Sequence, residues 1–130
     1  ALGMAAALVP ARAPAQPKGD DFQRTVDKAV AYLKKAQADD GSWGPAPNNT
    51  GITGIVVTGL LRCGGKPEDE PAAKALKFIE GLINEKAGHI AGKDEKAALA
   101  NYKTSINVLA LTAANRADKV KQKFTPLREV

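Results

Sequence analysis

The feature that most constrains the fold of this chain is an internal repeat. The stretch KAVAYL at 28–33 returns as KALKFI at 74–79, which is 46 positions further along the chain. Thr53 returns as Thr104 after 51 positions, so the offset grows where loops are expected. Each unit contains an amphipathic segment, a glycine-bearing turn and an apolar segment. A repeat of this length and composition predicts an array of helical hairpins.

The residues within each unit follow the periodicity of α-helices. Phe22, Val26, Leu33 and Gln37 form one stripe along the first segment. The uncharged aliphatic run at 52–61 would also suit a strand, but we favour a helix because the run exceeds the usual strand length and begins with a helix cap. The sequence predicts helices over 22–38, 50–63, 71–86 and 101–115, packed as two antiparallel hairpins with no β-sheet.

Residues that suit helix ends flank these segments. The acidic pair 20–21 is expected to cap the first helix by accepting hydrogen bonds from its free N–H groups, and one of residues 49–50 to cap the second. Gly41 suits the left-handed backbone that often follows a helix. Pro71 suits a first helical turn, where its missing N–H costs no hydrogen bond.

Length and charge limit the classes of protein to consider. The chain has 130 residues, which fits one domain or part of one. Its net charge is +5, but basic residues are interleaved with acidic ones, as where Lys34 and Lys35 precede Asp39 and Asp40. No run of Lys or Arg alternates with aromatic residues. We therefore predict solvated helix faces and no binding to nucleic acid.

The chain has one cysteine, Cys63, and one histidine, His89. A single cysteine cannot form an intrachain disulfide, and no Cys or His pair has the spacing of a metal site. We therefore expect no metal and no cofactor. Cys63 ends an apolar segment and is predicted to be a small buried hydrophobic residue. His89, beside a glycine, is predicted to lie in a solvated loop.

Residues 1–19 differ in composition from the rest of the chain. They are small and apolar through Val9 and then rich in alanine and proline. This composition resembles the end of a signal peptide with a small-x-small cleavage site at 11–13 or 13–15, and a disordered Ala/Pro leader is the alternative. The apolar run is too short to span a bilayer. We expect an exported protein (periplasmic, secreted or at the cell surface) whose folded domain begins at residue 20.

One stretch of the first unit carries more pattern than a surface helix needs. A basic–small pair and an aromatic–leucine pair are followed by a glutamine and then by Gly-x-Trp. The residues are Lys28, Ala29, Tyr32, Leu33, Gln37, Gly41 and Trp43. The types and their spacing resemble the QW motif of squalene–hopene cyclases and related terpene cyclases, which belong to the prenyltransferase and squalene oxidase repeat family.

The resemblance implies an all-α fold in which repeated hairpins close into an α/α toroid with apolar helices inside. Residues 20–130 would supply about two of its hairpins, at 22–64 and 70–116, and the start of a third, as the N-terminal part of a longer protein. The resemblance also implies that the indole of Trp43 packs over Gln37. The second unit looks like a degenerate copy, since it has Ile83 and Ile90 at the Gln and Trp positions.

The acidic motifs of the family's enzymes are missing. The pairs 20–21 and 39–40 complete neither the Asp-x-Asp-Asp motif that protonates a double bond nor the Asp-Asp-x-x-Asp motif that binds diphosphate. We therefore predict no catalytic residue here, and a cyclase or mutase activity would depend on residues beyond 130. The sequence predicts the structural repeats of a terpene-cyclase-like toroid. The alternative is an exported, non-catalytic toroid that binds an isoprenoid, another lipid or a protein.

Two residues at the start of the last predicted helix are candidates for contact with the lumen of such a toroid. They are Asn101 and Tyr102. The alternative is that Asn101 caps the helix and Tyr102 packs against a neighbour.

Overall fold

The structure is a computed structural model, and it describes residues 19–117. This part of the chain is a mostly helical small domain with four helices and one hairpin of two very short strands. The elements are α1 (Gly19–Lys35), α2 (Asn49–Arg62), α3 (Glu70–Gly81), β1 (Ile83–Asn84), β2 (His89–Ile90) and α4 (Ala100–Ala117). We call α1 and α2 the first half of the domain, and α3 to α4 the second half.

The two apolar helices, α2 and α4, pack side by side and run parallel. Gly51 lies against Tyr102 near both N-termini, and one turn further along both helices Gly54 lies against Asn107. A Cβ atom on Gly54 would stand 2.5 Å from Oδ1 of Asn107, so this close approach requires glycine. Gly51 and Gly54 thus lie at the contact between the two halves.

α3 packs beside α2 and completes a single apolar core. The buried residues of the core are Trp43, Val57, Leu60, Leu61, Ala72, Ala75, Leu76, Ile79, Ile90, Ala110, Leu111 and Ala114. Three alanines on α3 and α4 are completely buried, at 75, 110 and 114. Small side chains at these positions let the helices lie close together, which explains how a chain poor in aromatic residues fills its core.

α1 differs from the other helices because none of its residues is buried. Val30 and Leu33 pack against the core from one side of the apolar stripe. Phe22 and Tyr32 are 62% and 71% exposed. The stripe that predicts this helix is therefore only partly covered by the rest of the domain.

The prediction of a purely helical domain is wrong in the segment after α3, which ends at Gly81 rather than at 86. Asn84 explains the early end: its Oδ1 accepts a hydrogen bond from the N–H of Ala87 at 3.1 Å, and its Nδ2 donates to the carbonyl of Lys93 at 2.9 Å. A side chain that bonds nearby backbone competes with helix continuation. β1 then pairs with β2 in antiparallel fashion.

The other three predicted helices are confirmed, with ends that differ by up to three residues. Gly41 has the expected positive φ, +87°, and Pro71 lies in the first turn of α3. The predicted caps are wrong. Residues 20–21 lie inside the first turn of α1, and Asn48 occupies the N-cap position of α2 without a side-chain hydrogen bond.

Two predictions concern segments that the structure does not describe. The leader at 1–19 lies outside the described residues except for Gly19, and so does the start of a third unit at 125–130. Between 19 and 117, no helix is both long enough and apolar enough to cross a membrane.

Candidate functional site

The first turn, residues 36–48, joins α1 to α2 through Trp43. The tryptophan is 4% exposed, as predicted, and belongs to the core. Its backbone N–H donates to Oγ1 of Thr53 on α2 at 3.0 Å. Its indole Nε1–H donates to the carbonyl oxygen of Leu33 at 2.8 Å, close to the end of α1. One residue therefore ties α1 to α2, and its indole binds a carbonyl near the end of α1.

Gln37 extends this junction to α3. Its Nε2 donates to the carbonyl oxygen of Gly41 at 3.0 Å and to that of Pro71 at 2.9 Å. Gly41 lies so close to α3 that a Cβ atom there would stand 2.5 Å from the carbonyl oxygen of Lys74. Because a primary amide has two N–H donors, one side chain can bind both carbonyls. The end of α1, the turn and the start of α3 thus meet at Gln37.

The remaining residues of the motif do not converge on this junction. Lys28, Ala29 and Tyr32 are exposed on α1, and Leu33 is half-buried. Leu33 takes part through its carbonyl oxygen, which accepts the indole N–H, and through side-chain packing against the core.

Asp40 and Ser42 form a contact within the first turn that the sequence analysis missed. Oδ1 of Asp40 accepts hydrogen bonds from the hydroxyl of Ser42 at 2.7 Å and from its N–H at 2.9 Å. These bonds, the hydroxyl first, hold the pKa of Asp40 below its usual value. The two bonds from Ser42 favour the ionised carboxylate of Asp40, which anchors the turn. The signal was the Asp-x-Ser spacing, typical of such turns.

The second turn, residues 82–99, repeats one contact of the first. The N–H of Ile90 donates to Oγ1 of Thr104 on α4 at 2.9 Å, just as Trp43 donates to Thr53. Ile90 is 4% exposed and lies in the core. Its carbonyl oxygen accepts a hydrogen bond from Nδ2 of Asn107 at 2.8 Å. Ile90 therefore occupies the place in the second half that Trp43 occupies in the first.

Two single residues of interest lie elsewhere than predicted. His89 is on β2 and only 9% exposed, so the prediction of a solvated loop is wrong. Neither of its buried ring nitrogens has a hydrogen-bond partner among residues 19–117. Cys63 is exposed rather than buried, because it follows the last turn of α2 as the C-cap residue.

The two candidate lumen residues lie at the start of α4. Asn101 is exposed, and its carbonyl oxygen accepts a hydrogen bond from the hydroxyl of Ser105 at 2.8 Å. Because α4 begins at Ala100, Asn101 lies inside the helix rather than at its cap. Tyr102 is 57% exposed, and one edge of its ring lies near Gly51 of α2.

A groove of about 450 Å³ separates α1 from α2 and α3. Val26 and Val30 of α1 line one wall, and Leu60, Pro71 and Ala72 line the opposite side. Polar side chains, including Gln23, Asp27 and Asp69, also line it. No group of His, Cys, Asp and Glu residues able to hold a metal ion is found within the described part of the chain.

Comparison of this chain with protein-family models, with curated proteins and with solved structures finds no match in any of the three.

Proposed function

We propose that this chain is a structural repeat unit of a helical array of the prenyltransferase and squalene oxidase repeat type. In this proposal α1 and α3 are outer helices, α2 and α4 are inner helices, and the unit builds part of the wall of an α/α toroid. The family's apolar lumen would then be lined by inner helices.

The observation that carries the proposal is the pair of hydrogen bonds made by Gln37, to Gly41 and to Pro71. The most restricted residues of the QW-like pattern, Gln37, Gly41 and Trp43, lie where three helices meet. A motif with this role needs its glutamine, glycine and tryptophan and tolerates change elsewhere. The exposure of Lys28 and Ala29 agrees with that division.

A graft of the motif into the second turn tests the repeat relation. Ile83 lies opposite Ile90 in the two-stranded hairpin. Ile83→Gln and Ile90→Trp would each destabilise the domain alone, through a poorly paired amide and an oversized ring. The resemblance implies that the tryptophan of the motif packs over its glutamine, so if the two turns are equivalent units the double variant lets the new pair interact, and it should be less destabilised than the sum of the single variants.

Urea denaturation of the four proteins measures this coupling. We expect a favourable coupling free energy of about 0.5–2 kcal/mol, as found for side chains in direct contact. The same cycle with Ile83→Gln and Leu109→Trp, which lies on a different face, should show additivity. Additive effects of Ile83→Gln and Ile90→Trp would contradict the repeat assignment.

The alternative function is binding of a lipid by a non-catalytic, exported protein, and the groove beside α1 favours it. Its volume lies within the range of small-molecule sites, and its aliphatic walls suit a prenyl or acyl chain. Val26→Glu would place a charge in the groove. Phe22→Glu, one turn away and 62% exposed, is the matched control because Phe22 does not line it.

Titration with a fluorescent farnesyl analogue separates these possibilities. Saturable binding that squalene competes for, and that Val26→Glu but not Phe22→Glu weakens, would favour the lipid-binding alternative. For the structural unit we expect neither binding in the groove nor conversion of squalene or farnesyl diphosphate. Turnover that disappears in Asp39→Asn or Asp40→Asn would instead assign chemistry to the first turn.

A further inference from the structure

α4 presents an uncovered face to solvent. Tyr102, Ser105 and Leu109 follow one another at spacings of three and four residues, so they lie on one side of the helix. Tyr102 is 57% exposed and Leu109 is 56% exposed. We call this surface the α4 face. Tyr102, whose ring edge also lies near Gly51 of α2, and Leu109 are both more than half exposed on a helix that contributes buried residues to the core, and this exposure requires a physical explanation.

The internal repeat shows what the α4 face corresponds to in the first half. Thr53 and Thr104 make equivalent hydrogen bonds and are 51 positions apart. At this offset Tyr102, Ser105 and Leu109 correspond to Gly51, Gly54 and Thr58. This is the side of α2 that packs against α4. α4 therefore exposes the same side that α2 uses to contact its neighbour.

α2 also has an uncovered face, formed by Ile55 and Gly59. Ile55 is 55% exposed, and no atom lies within 4 Å of a Cβ built on Gly59. The corresponding residues of α4 are Ile106 and Ala110, on the side that receives α2. We call this surface the α2 face. α4 therefore exposes the side that α2 uses to contact α4, and α2 exposes the side that α4 uses to contact α2.

We propose that the α2 face of a second copy of this chain docks on the α4 face, with the two helices parallel, as α2 and α4 are within one chain. The contact continues the existing helix–helix interface from one molecule to the next. The five residues that define the two faces, Ile55, Gly59, Tyr102, Ser105 and Leu109, are all uncharged, and the charged residue that follows them on the side of α2 is Arg62, at its exposed end.

The side chains on the two faces differ in size in ways that offset each other. Tyr102 and Ser105 are bulkier than the glycines at the corresponding positions of α2, which moves the helix axes apart. Gly59 is smaller than its counterpart Ala110, and the space above it accepts a side chain of the facing helix. Leu109 of one copy is the large side chain closest in register to Gly59 of the other.

The arrangement is head-to-tail, because the two faces differ. A head-to-tail contact leaves one α2 face and one α4 face free at the ends of any dimer, so association continues until a ring closes or a filament forms. This inference depends on the repeat relation between α2 and α4 and does not require the family assignment or any enzymatic activity.

Sedimentation velocity of the full chain over a range of concentrations tests the proposal. We expect association that increases with concentration. Gly59→Glu blocks the α2 face and should leave the monomer folded, because the site is open and glutamate favours a helix over glycine by up to about 1 kcal/mol. Leu109→Glu blocks the α4 face. Each variant alone should raise the dissociation constant at least about tenfold.

A mixture of the two variants gives the discriminating result. Gly59→Glu retains an intact α4 face and Leu109→Glu an intact α2 face, so equal amounts should form dimers and nothing larger. Tyr32→Glu on α1, where the side chain is 71% exposed, is the control and should associate like the unmodified chain.

Three results would overturn the proposal. The unmodified chain could remain monomeric at every concentration, Gly59→Glu or Leu109→Glu could associate as strongly as the unmodified chain, or the mixture could fail to form dimers. Circular dichroism of each variant, matched to that of the unmodified chain, shows that a loss of association reflects the blocked face. The graft experiment on Ile83 and Ile90 is read in the monomer, so the outcomes of the two tests are independent.

Discussion

The two turns of this domain keep one hydrogen bond in common and differ in almost everything around it. In both, a buried residue after the turn donates its N–H to a threonine hydroxyl on the following apolar helix. In the first turn a side-chain amide, that of Gln37, comes from the segment just after α1. The second has Ile83 at the corresponding position and takes its amide from α4, where Asn107 binds the carbonyl of Ile90.

The difference shows which contact the architecture requires. Position 56, which corresponds to Asn107, holds a valine, so each turn has one amide and one aliphatic residue at these two places. The amide can come from either side of the junction because its task is to bind backbone carbonyls that lie beside the turn. The threonine bond is common to both turns because it fixes where each turn meets the helix that follows it, α2 or α4.

The largest expected effect is the removal of the buried residue after each turn. Trp43→Ala should lower the free energy of unfolding by about 3–5 kcal/mol, since it removes a core aromatic and the indole bond to Leu33. Ile90→Ala should cost less, about 2–3 kcal/mol, because a smaller side chain is lost. Urea denaturation monitored by circular dichroism gives both values. Equal losses would mean that the larger ring of Trp43 and its bond to Leu33 add nothing to what a buried isoleucine contributes.

The shared threonine contact is tested by removing only its hydroxyl. Thr53→Val should cost about 1–3 kcal/mol, because it leaves the N–H of Trp43 buried without a partner. Thr104→Val should cost less, since Thr104 is only partly buried and water can reach the freed N–H of Ile90. Thr53→Ser keeps the hydroxyl and is the control. A larger loss of unfolding free energy for Thr104→Val than for Thr53→Val would contradict this expectation.

A third test concerns the residue that precedes α2 and the residue that precedes α4. Leu99 has a φ of +57°, whereas Asn48, its counterpart 51 positions earlier, has a φ of −82°. A left-handed backbone costs a residue with a Cβ atom about 1–2 kcal/mol. Leu99→Gly should therefore stabilise the domain by up to about 1 kcal/mol, once the greater freedom of glycine in the unfolded chain is counted. Leu99→Ala retains the Cβ atom and should not stabilise it, which thermal melts would show.

The smallest effect is the pH dependence that Asp40 gives to the first turn alone. Because hydrogen bonds from Ser42 lower the pKa of Asp40 in the folded state, they stabilise the domain above the usual carboxyl pKa of 3.8. This contribution is lost as the pH falls below that value. Asp40→Asn should therefore be less stable than the unmodified chain at neutral pH, and the difference should shrink below pH 4 or so. Melting temperatures that run parallel at all pH values would contradict this role.

The sequence predicts the regular parts of this domain better than its exceptions. The helix at 52–61 and the burial of Trp43 follow from length, capping and spacing, which are properties of neighbouring residues. The end of α3 was missed because apolar residues continue at helical spacing while Asn84 binds nearby backbone instead. The burial of His89 depends on β2 packing against α4, a contact between distant segments that no local pattern reports.

The candidate site also has residues that the sequence predicts and contacts that it does not. Gln37 and Trp43 can be identified from the sequence because their types and spacing are unusual. The carbonyls of Leu33 and Pro71 that they bind belong to the backbone, so the residue types at these two positions do not indicate the contacts. The bond between Asp40 and Ser42 does have a sequence signal, the Asp-x-Ser spacing, which is typical of turns and independent of any catalytic motif.

The shallow seating of α1 has a consequence for how the domain opens. A helix without a buried residue can unfold locally while exposing little apolar surface, so its amide hydrogens should exchange with solvent faster than those of α2 and α4. Trp43, the natural fluorophore, belongs to the core rather than to α1. Its emission therefore reports global unfolding and is insensitive to fraying at the N-terminal end of α1, so hydrogen exchange and fluorescence would follow two different events in one molecule.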